Sequence, residues 1–434
     1  MMPHVVLRSA TAVATAMLLT LGARTAPCQV IAITGGTVHP VSGPPIPGGT
    51  VLMRDGKIVA VGSAVQIPTD AQRIDATGKI VTPGIVNAAT QIGITEVGAV
   101  AATRNSTSRG REGIAAAFTV WEGLNPVSVL IPPARDAGIT SVVIAPRGGL
   151  IAGQAAVLQL VDGSAADLVL RSPVAMVGQV GSPAQAGAQS RGELLLRLRE
   201  VLEDARTYQR RKADFERAQT RTFAASRLDL EALAPVMEGR LPLLLDVDKA
   251  SDIESALKLA KDYGIRLIVS GAAEAWMVAD KLAAARVSVM TGAMNNIPQS
   301  FASLGTRQEN AALLRQAGVT VIIIGNAGGG DEEAFNVRNV RFEAGNAVAY
   351  GMSRDDALRA ITLAPAEVFG VANRIGSLQA GKDGDVVVWS GDPFEFATQP
   401  EHVFIRGREV RAPTRQDMLE QRYKSLPPDY LRRP

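Results

Sequence analysis

Two carboxylates, Asp246 and Asp248, follow the short apolar run Leu243-Leu244-Leu245. On a strand alternate residues share a face, so both side chains point the same way, toward a sheet interior or toward its covering helices. Such a pair at a strand end can bind a hard cation or exchange protons with a substrate. It can equally accept loop amides or pair with Lys249. Arg147-Gly148-Gly149, with Gly153-Gln154 behind it, offers a cation and backbone amides suited to an anion, although loop geometry alone also accounts for those glycines. Asp331-Glu332-Glu333 follows Gly328-Gly329-Gly330, and an acidic loop of that kind either recruits Ca²⁺ or Mg²⁺ or is simply solvated. Gln91, Glu274 and Asn326 complete the polar candidates. A Ser–His or Cys–His nucleophile is excluded between residues 83 and 370, because the histidines are His4, His39 and His402 and the single cysteine is Cys28.

The elements that must position these groups fall into two textures. Residues 30–38 and 50–61 read as strands, the second broken by the turn Arg54-Asp55-Gly56-Lys57, a hairpin signal between apolar runs. Asp75-Ala76-Thr77-Gly78 repeats that turn chemistry, so this part is β structure without helices. From Pro83 one unit recurs: an amphipathic helix, an Ala/Gly stop, then a β-branched run. The runs are 139–144, 265–269, 287–290 and 319–324, with 174–177 and 243–245 as further buried stretches. Near-continuous Val/Ile runs alternating with helices predict a parallel sheet covered on both faces. A (β/α)8 TIM-type barrel fits best, with an open doubly wound sheet as the alternative. Residues 191–218 predict a long charged helix packing one apolar stripe on the sheet. β texture returns after residue 370, with a strand at 386–389 and a hairpin at 403–410. The two β-rich ends therefore predict a composite β-sandwich assembled from both termini.

The chain has 434 residues, 47% of them hydrophobic, which is enough for one large core. A short basic start with Arg8, an apolar run over 10–23 and small residues around 25–28 predict a cleaved signal peptide, hence a secreted or periplasmic protein. Cleavage removes Arg8 and Arg24 and no acids, so the formal charge falls from +3 to +1. With no cluster of Lys and Arg interleaved with aromatics, nucleic acid is excluded as a partner. The expected divisions are 1–28 signal peptide, 29–82 first β half, 83–370 barrel, 371–412 second β half and 413–434 C-terminal tail.

Pro83-Gly84-Ile85-Val86-Asn87, Asp55-Gly56-Lys57-Ile58, Asp75-Ala76-Thr77-Gly78-Lys79, Ala364-Pro365-Ala366 and the stretch from Gly376-Ser377-Leu378 to Asp385 together resemble the amidohydrolase superfamily, in its secreted imidazolonepropionase-like branch. The resemblance runs over nearly the whole mature chain. It implies a metal-dependent barrel with a composite β-sandwich, hydrolysing C–N bonds of amides or cyclic amides with zinc or another divalent metal. The metal-ligand positions it implies fall on Ala89, Gln91, Ala175, Asp246, Ser270 or Gly271, and Asn326. Only Asp246 keeps a strong metal-binding group, and Asn326 cannot act as a base near neutral pH. No metal or other cofactor is therefore expected. The expected function is a non-catalytic binding subunit in the periplasm, as a homo-oligomer or as partner of an active homologue, holding a small-molecule ligand. The alternative is a hydrolase with a rebuilt site around Asp246 and Asp248.

Overall fold

The computed structural model describes residues 29–181, 187–294, 298, 300–325, 332–410, 413 and 415–424. The expected signal peptide, Asn326 and Asp331 lie outside them. Five strands open the chain: β1 (Val30–Val38), β2 (Ile46–Arg54), β3 (Lys57–Gly62), β4 (Gln72–Asp75) and β5 (Ile80–Pro83). Eight more follow: β6 (Ile85–Thr90), β7 (Ile139–Ile144), β8 (Ile151–Gln159), β9 (Val169–Gln179), β10 (Leu243–Val247), β11 (Leu267–Gly271), β12 (Ser288–Thr291) and β13 (Val321–Ile323). The last are β14 (Val386–Trp389), β15 (Pro400–Ile405) and β16 (Arg408–Glu409).

The outer strands form one mixed sheet in the order β16-β15-β14-β5-β1-β2-β3, with β4 beside β1. Both ends of the chain therefore build it, because β14 inserts antiparallel against β5. The turn at Asp55 and Gly56 joins β2 to β3, with both residues in left-handed backbone. The sheet packs on the barrel through Trp389, fully buried in the barrel's outer core, while its indole N–H donates within the sheet to Thr82 Oγ1 of β5 at 2.9 Å. Gly138 must be a glycine beside it: a Cβ there would stand 2.6 Å from the Trp389 ring, and its φ is +85°.

The middle strands run β6 to β13 in sequence order as a nearly closed eight-stranded TIM-type barrel. Its interior is apolar, built from Val86, Ala88, Val143, Ala175, Val177, Leu244, Ile268, Met290 and Ile322, and stoppered by Phe369 and Ile375. Odd residues of β10 face outward to the helices, with Leu243, Leu245 and Val247 in the outer core. The seam between β6 and β13 is bridged by Val86 N–H donating to Ile361 O at 2.8 Å and by Asn87 Nδ2 donating to Val337 O at 2.9 Å.

The barrel departs from the all-parallel pattern at one strand. β8 is antiparallel to both β7 and β9. The connection 145–150 is too short for a parallel crossover, which needs a dozen or more residues. Gly148 and Gly149, at φ +85° and +71°, turn the chain back, so these glycines serve a hairpin. Helices are correspondingly sparse over the first strands. The long expected helix ends early: Arg191–Arg210 is followed, after a break at Arg211, by Lys212–Glu216. Its start follows from Ser190, whose side chain accepts the Glu193 N–H, and its buried stripe is Leu194, Leu198, Val201, Leu202 and Tyr208.

Candidate functional site

Alternation along β10 decides where its carboxylates point. Leu244 faces the apolar barrel interior, so Asp246 and Asp248 stand above it on the same face, at the C-terminal mouth. Asp246 opens onto the water of the mouth yet is walled by protein on nearly every side. Burial, and next the charge of Asp248, push its carboxyl up to about 6, while Arg147 opposes the shift. Asp248 is raised as well, chiefly by burial; its Oδ1 accepts the Ala273 N–H at 3.3 Å, and Glu274 adds a repelling charge.

Arg147 is thus brought to Asp246 from a different strand. It sits on the hairpin between β7 and β8, whose backbone is braced by Arg147 N–H donating to Ser106 O at 2.9 Å and Leu150 N–H to Gly113 O at 2.8 Å. Burial lowers the guanidinium pKa and the Asp246 charge raises it, but an arginine remains a cation throughout. Gln91 ties the same hairpin to β6, its Nε2 donating to Ala145 O at 2.8 Å. Gln91 is 2% exposed and its Oε1 is buried without a hydrogen-bond partner among the described residues, so an acceptor at the mouth stands ready for a donor.

Gly271 is a tightly constrained backbone position of the site. Its φ is +80°, and a Cβ there would meet Asp248 Oδ1 at 2.7 Å and Asp246 Oδ1 at 3.0 Å. Both carboxylates therefore converge on the glycine face, a place where a side chain of any size would displace them. Ser270 is in register with Asp246 on β11. Gln179 is in register with it on β9. Gln179 is the mouth residue that sequence reasoning missed; the same two-residue alternation from Ala175 and Val177 points to it.

Glu274 does not join this group as a ligand-binding residue. Its Oε2 accepts the Ala250 N–H at 3.0 Å and its Oε1 the Gly305 N–H at 2.9 Å. Lys249 gives the helix Ala250–Tyr263 no side-chain cap, and the Glu274 carboxylate fills that place at its positive end. Both oxygens are committed to structure.

The residues present do not fit the divalent metal that the resemblance implies. Ala175 is fully buried among the interior apolar residues, Ala89 packs against them, and Gln91 is bound to a backbone carbonyl. Among the described residues no group of three or more His, Cys, Asp or Glu could hold a metal ion. Zinc sites need several imidazole, thiolate or carboxylate ligands, and among the described residues of the mouth Asp246 and Asp248 come nearest to that chemistry.

Residues 256–410 match the profile of the Amidohydrolase family. The chain is 25% identical over 394 residues to the amidohydrolase tasK of Hapsidospora irregularis, a match covering 83% of this chain and 39% of that protein. Among solved structures it is similar to an amidohydrolase from Thermotoga maritima MSB8, with a TM-score of 0.78 and 26% identity over 88% of this chain and 99% of the other. It also shares the fold of a zinc-bound adenosine deaminase from Xanthomonas campestris, at TM-score 0.51 and 18% identity over 91% of this chain and 97% of that one.

Proposed function

We propose that this chain is a member of the amidohydrolase family, a reading supported by the profile match and the similar proteins, and that it binds a ligand without the family's metal, in the periplasm and beside a catalytic homologue. The observation that carries this reading is the donor set at the mouth. Where the family's ligands are expected there stand Ala89, Gln91, Ala175 and either Ser270 or a crowded Gly271, while Asp246 feels the charge of Arg147. A carboxylate beside a guanidinium offers an acceptor and a donor together, and Gln91 Oε1 adds a second acceptor. An amide or cyclic amide, with its N–H and C=O, meets both kinds of group. Arg147 would hold the carbonyl and Asp246 the N–H, with the apolar interior beneath excluding water. The chain spans 39% of the length of the tasK protein it matches.

One observation favours a second reading, a hydrolase of non-peptide C–N bonds. A carboxyl held at about 6 can take up a proton near neutral pH, which is what a general base requires. The two readings are separated by elemental mass spectrometry and turnover. Purified mature protein exposed to Zn²⁺, Mn²⁺ and Mg²⁺ is expected to retain no stoichiometric metal; a bound transition metal would overturn the metal-independent reading. Turnover of a cyclic amide that disappears in Asp246→Asn would establish the hydrolase instead.

A further inference from the structure

We propose a second binding site, at the opposite end of the barrel from the mouth, that takes a small amphiphilic anion: a carboxylate or similar head on an alkyl tail. A groove of about 1170 Å³ lies between the helix Ala250–Tyr263 and the helix Ala279–Ala284, where β11 and β12 begin. Its floor is apolar, with Leu257, Ile265, Leu267 and Val287. It shares no residue with the Asp246 site, so it stands independently of the function proposed above.

The charges around the groove are unequal. Lys258 is paired with Asp262 at 2.7 Å, and Lys281 with Glu254 across the two helices. That uses the acids of the groove and leaves Lys261, Arg266 and Arg286 exposed, with no side-chain ion pair among the described residues, and of these the two arginines stand just ahead of the strands. The register Ile268↔Ser288 makes these two arginines neighbours at the start of adjacent strands. Like charges side by side repel, and an anion between them removes the repulsion.

Arg286 carries an independent sign. The turns from helix to strand at Gly138, Gly264 and Gly318 all have left-handed backbone, φ +85°, +70° and +89°, and all use glycine. The equivalent turn after the helix Ala279–Ala284 has φ +54° and an arginine. Left-handed backbone disfavours any side chain there, so glycine would serve the fold better. The geometry fits a residue kept for what its guanidinium does. Apolar floor and paired cations at its edge are complementary to one occupant, a tail with an anionic head.

The test is calorimetric titration of the full mature chain with octanoate, octan-1-ol and acetate. Octanoate is expected to bind at one site, and the alcohol and acetate about tenfold or more weaker, since one lacks the charge and the other the tail. Arg266→Gln and Arg286→Gly are each expected to weaken octanoate about tenfold. Arg286→Gly should at the same time raise the thermal midpoint, which separates lost binding from lost folding. Octanoate binding unchanged in Arg286→Gly, octan-1-ol binding as well as octanoate, or no octanoate binding at all would each overturn the proposal. Binding to anionic phospholipid vesicles without binding of monomeric octanoate would overturn it too, in favour of a membrane surface.

Discussion

Replacing Asp246 by Asn should make the protein more stable at neutral pH and leave it unchanged in acid. The ordinary carboxyl value is 3.8, and in the folded chain burial and Asp248 push Asp246 up to about 6. The folded state therefore holds the proton more tightly than the unfolded chain. Folding stability falls as the pH rises from the ordinary value through the folded one, and is flat above it. At full strength that displacement is worth about 3 kcal/mol. Because the carboxylate opens onto water at the mouth, screening reduces the expected effect to about 1 kcal/mol. An amide of the same shape has no charge to desolvate, so the gap between variant and parent should grow from near zero at about pH 4 to about 1 kcal/mol above about pH 7. Urea unfolding of both proteins across that range, read by far-UV dichroism, measures the gap directly. A gap that does not change with pH would refute the reasoning, because Asp246 would then titrate alike in both states. A gap of opposite sign would mean that the Arg147 charge outweighs burial, and Asp246 would be an ordinary ion pair with no use as a base near neutral pH.

Three further changes test the neighbouring residues. Glu274→Gln can satisfy only one of the two amides now held by the carboxylate, and should cost about 1–3 kcal/mol in urea unfolding; an unchanged midpoint would show that water serves those amides equally well. Gly271→Ala forces a Cβ against both carboxylates in left-handed backbone, so a loss of at least about 1–2 kcal/mol is expected by the same assay. Arg286→Gly should gain about 1 kcal/mol from relief of its backbone, and a destabilised variant would remove the argument that its arginine opposes the turn.

The strands buried on both faces were legible because β-branched runs such as 139–144 and 319–324 have no other stable use. β8 was not, for a physical reason. Ile151-Ala152-Gly153-Gln154 interrupts its apolar start with a glycine and a polar residue, and its identity as a reversed strand is set by the short turn before it, not by its own pattern. Asp246 and Asp248 were found by spacing alone, yet spacing left their direction open; it is settled by Leu244 lying in the interior core. Arg147 was singled out as part of a glycine loop, and only the fold brings it to Asp246. Glu274 misled because a buried acid reads the same in sequence whether it meets a ligand or the end of a helix. Gln179 was passed over because an uncharged residue at a strand end carries no sign until its neighbours in register are known.

The reversed strand also bears on how the chain assembles. A parallel pair cannot form until a long crossover has been closed, which is slow because distant segments must meet first. Here β7, β8 and β9 are consecutive antiparallel neighbours joined by the connections 145–150 and 160–168. They can pair as a meander while the rest of the barrel is unformed, giving the chain a local nucleus. The seam of β6 and β13 is the reverse case, since Val86 waits for Ile361 from far along the chain. Synthesis from the N-terminus therefore leaves β6 with one neighbour only until nearly the whole barrel has emerged, and the seam is the last joint to close.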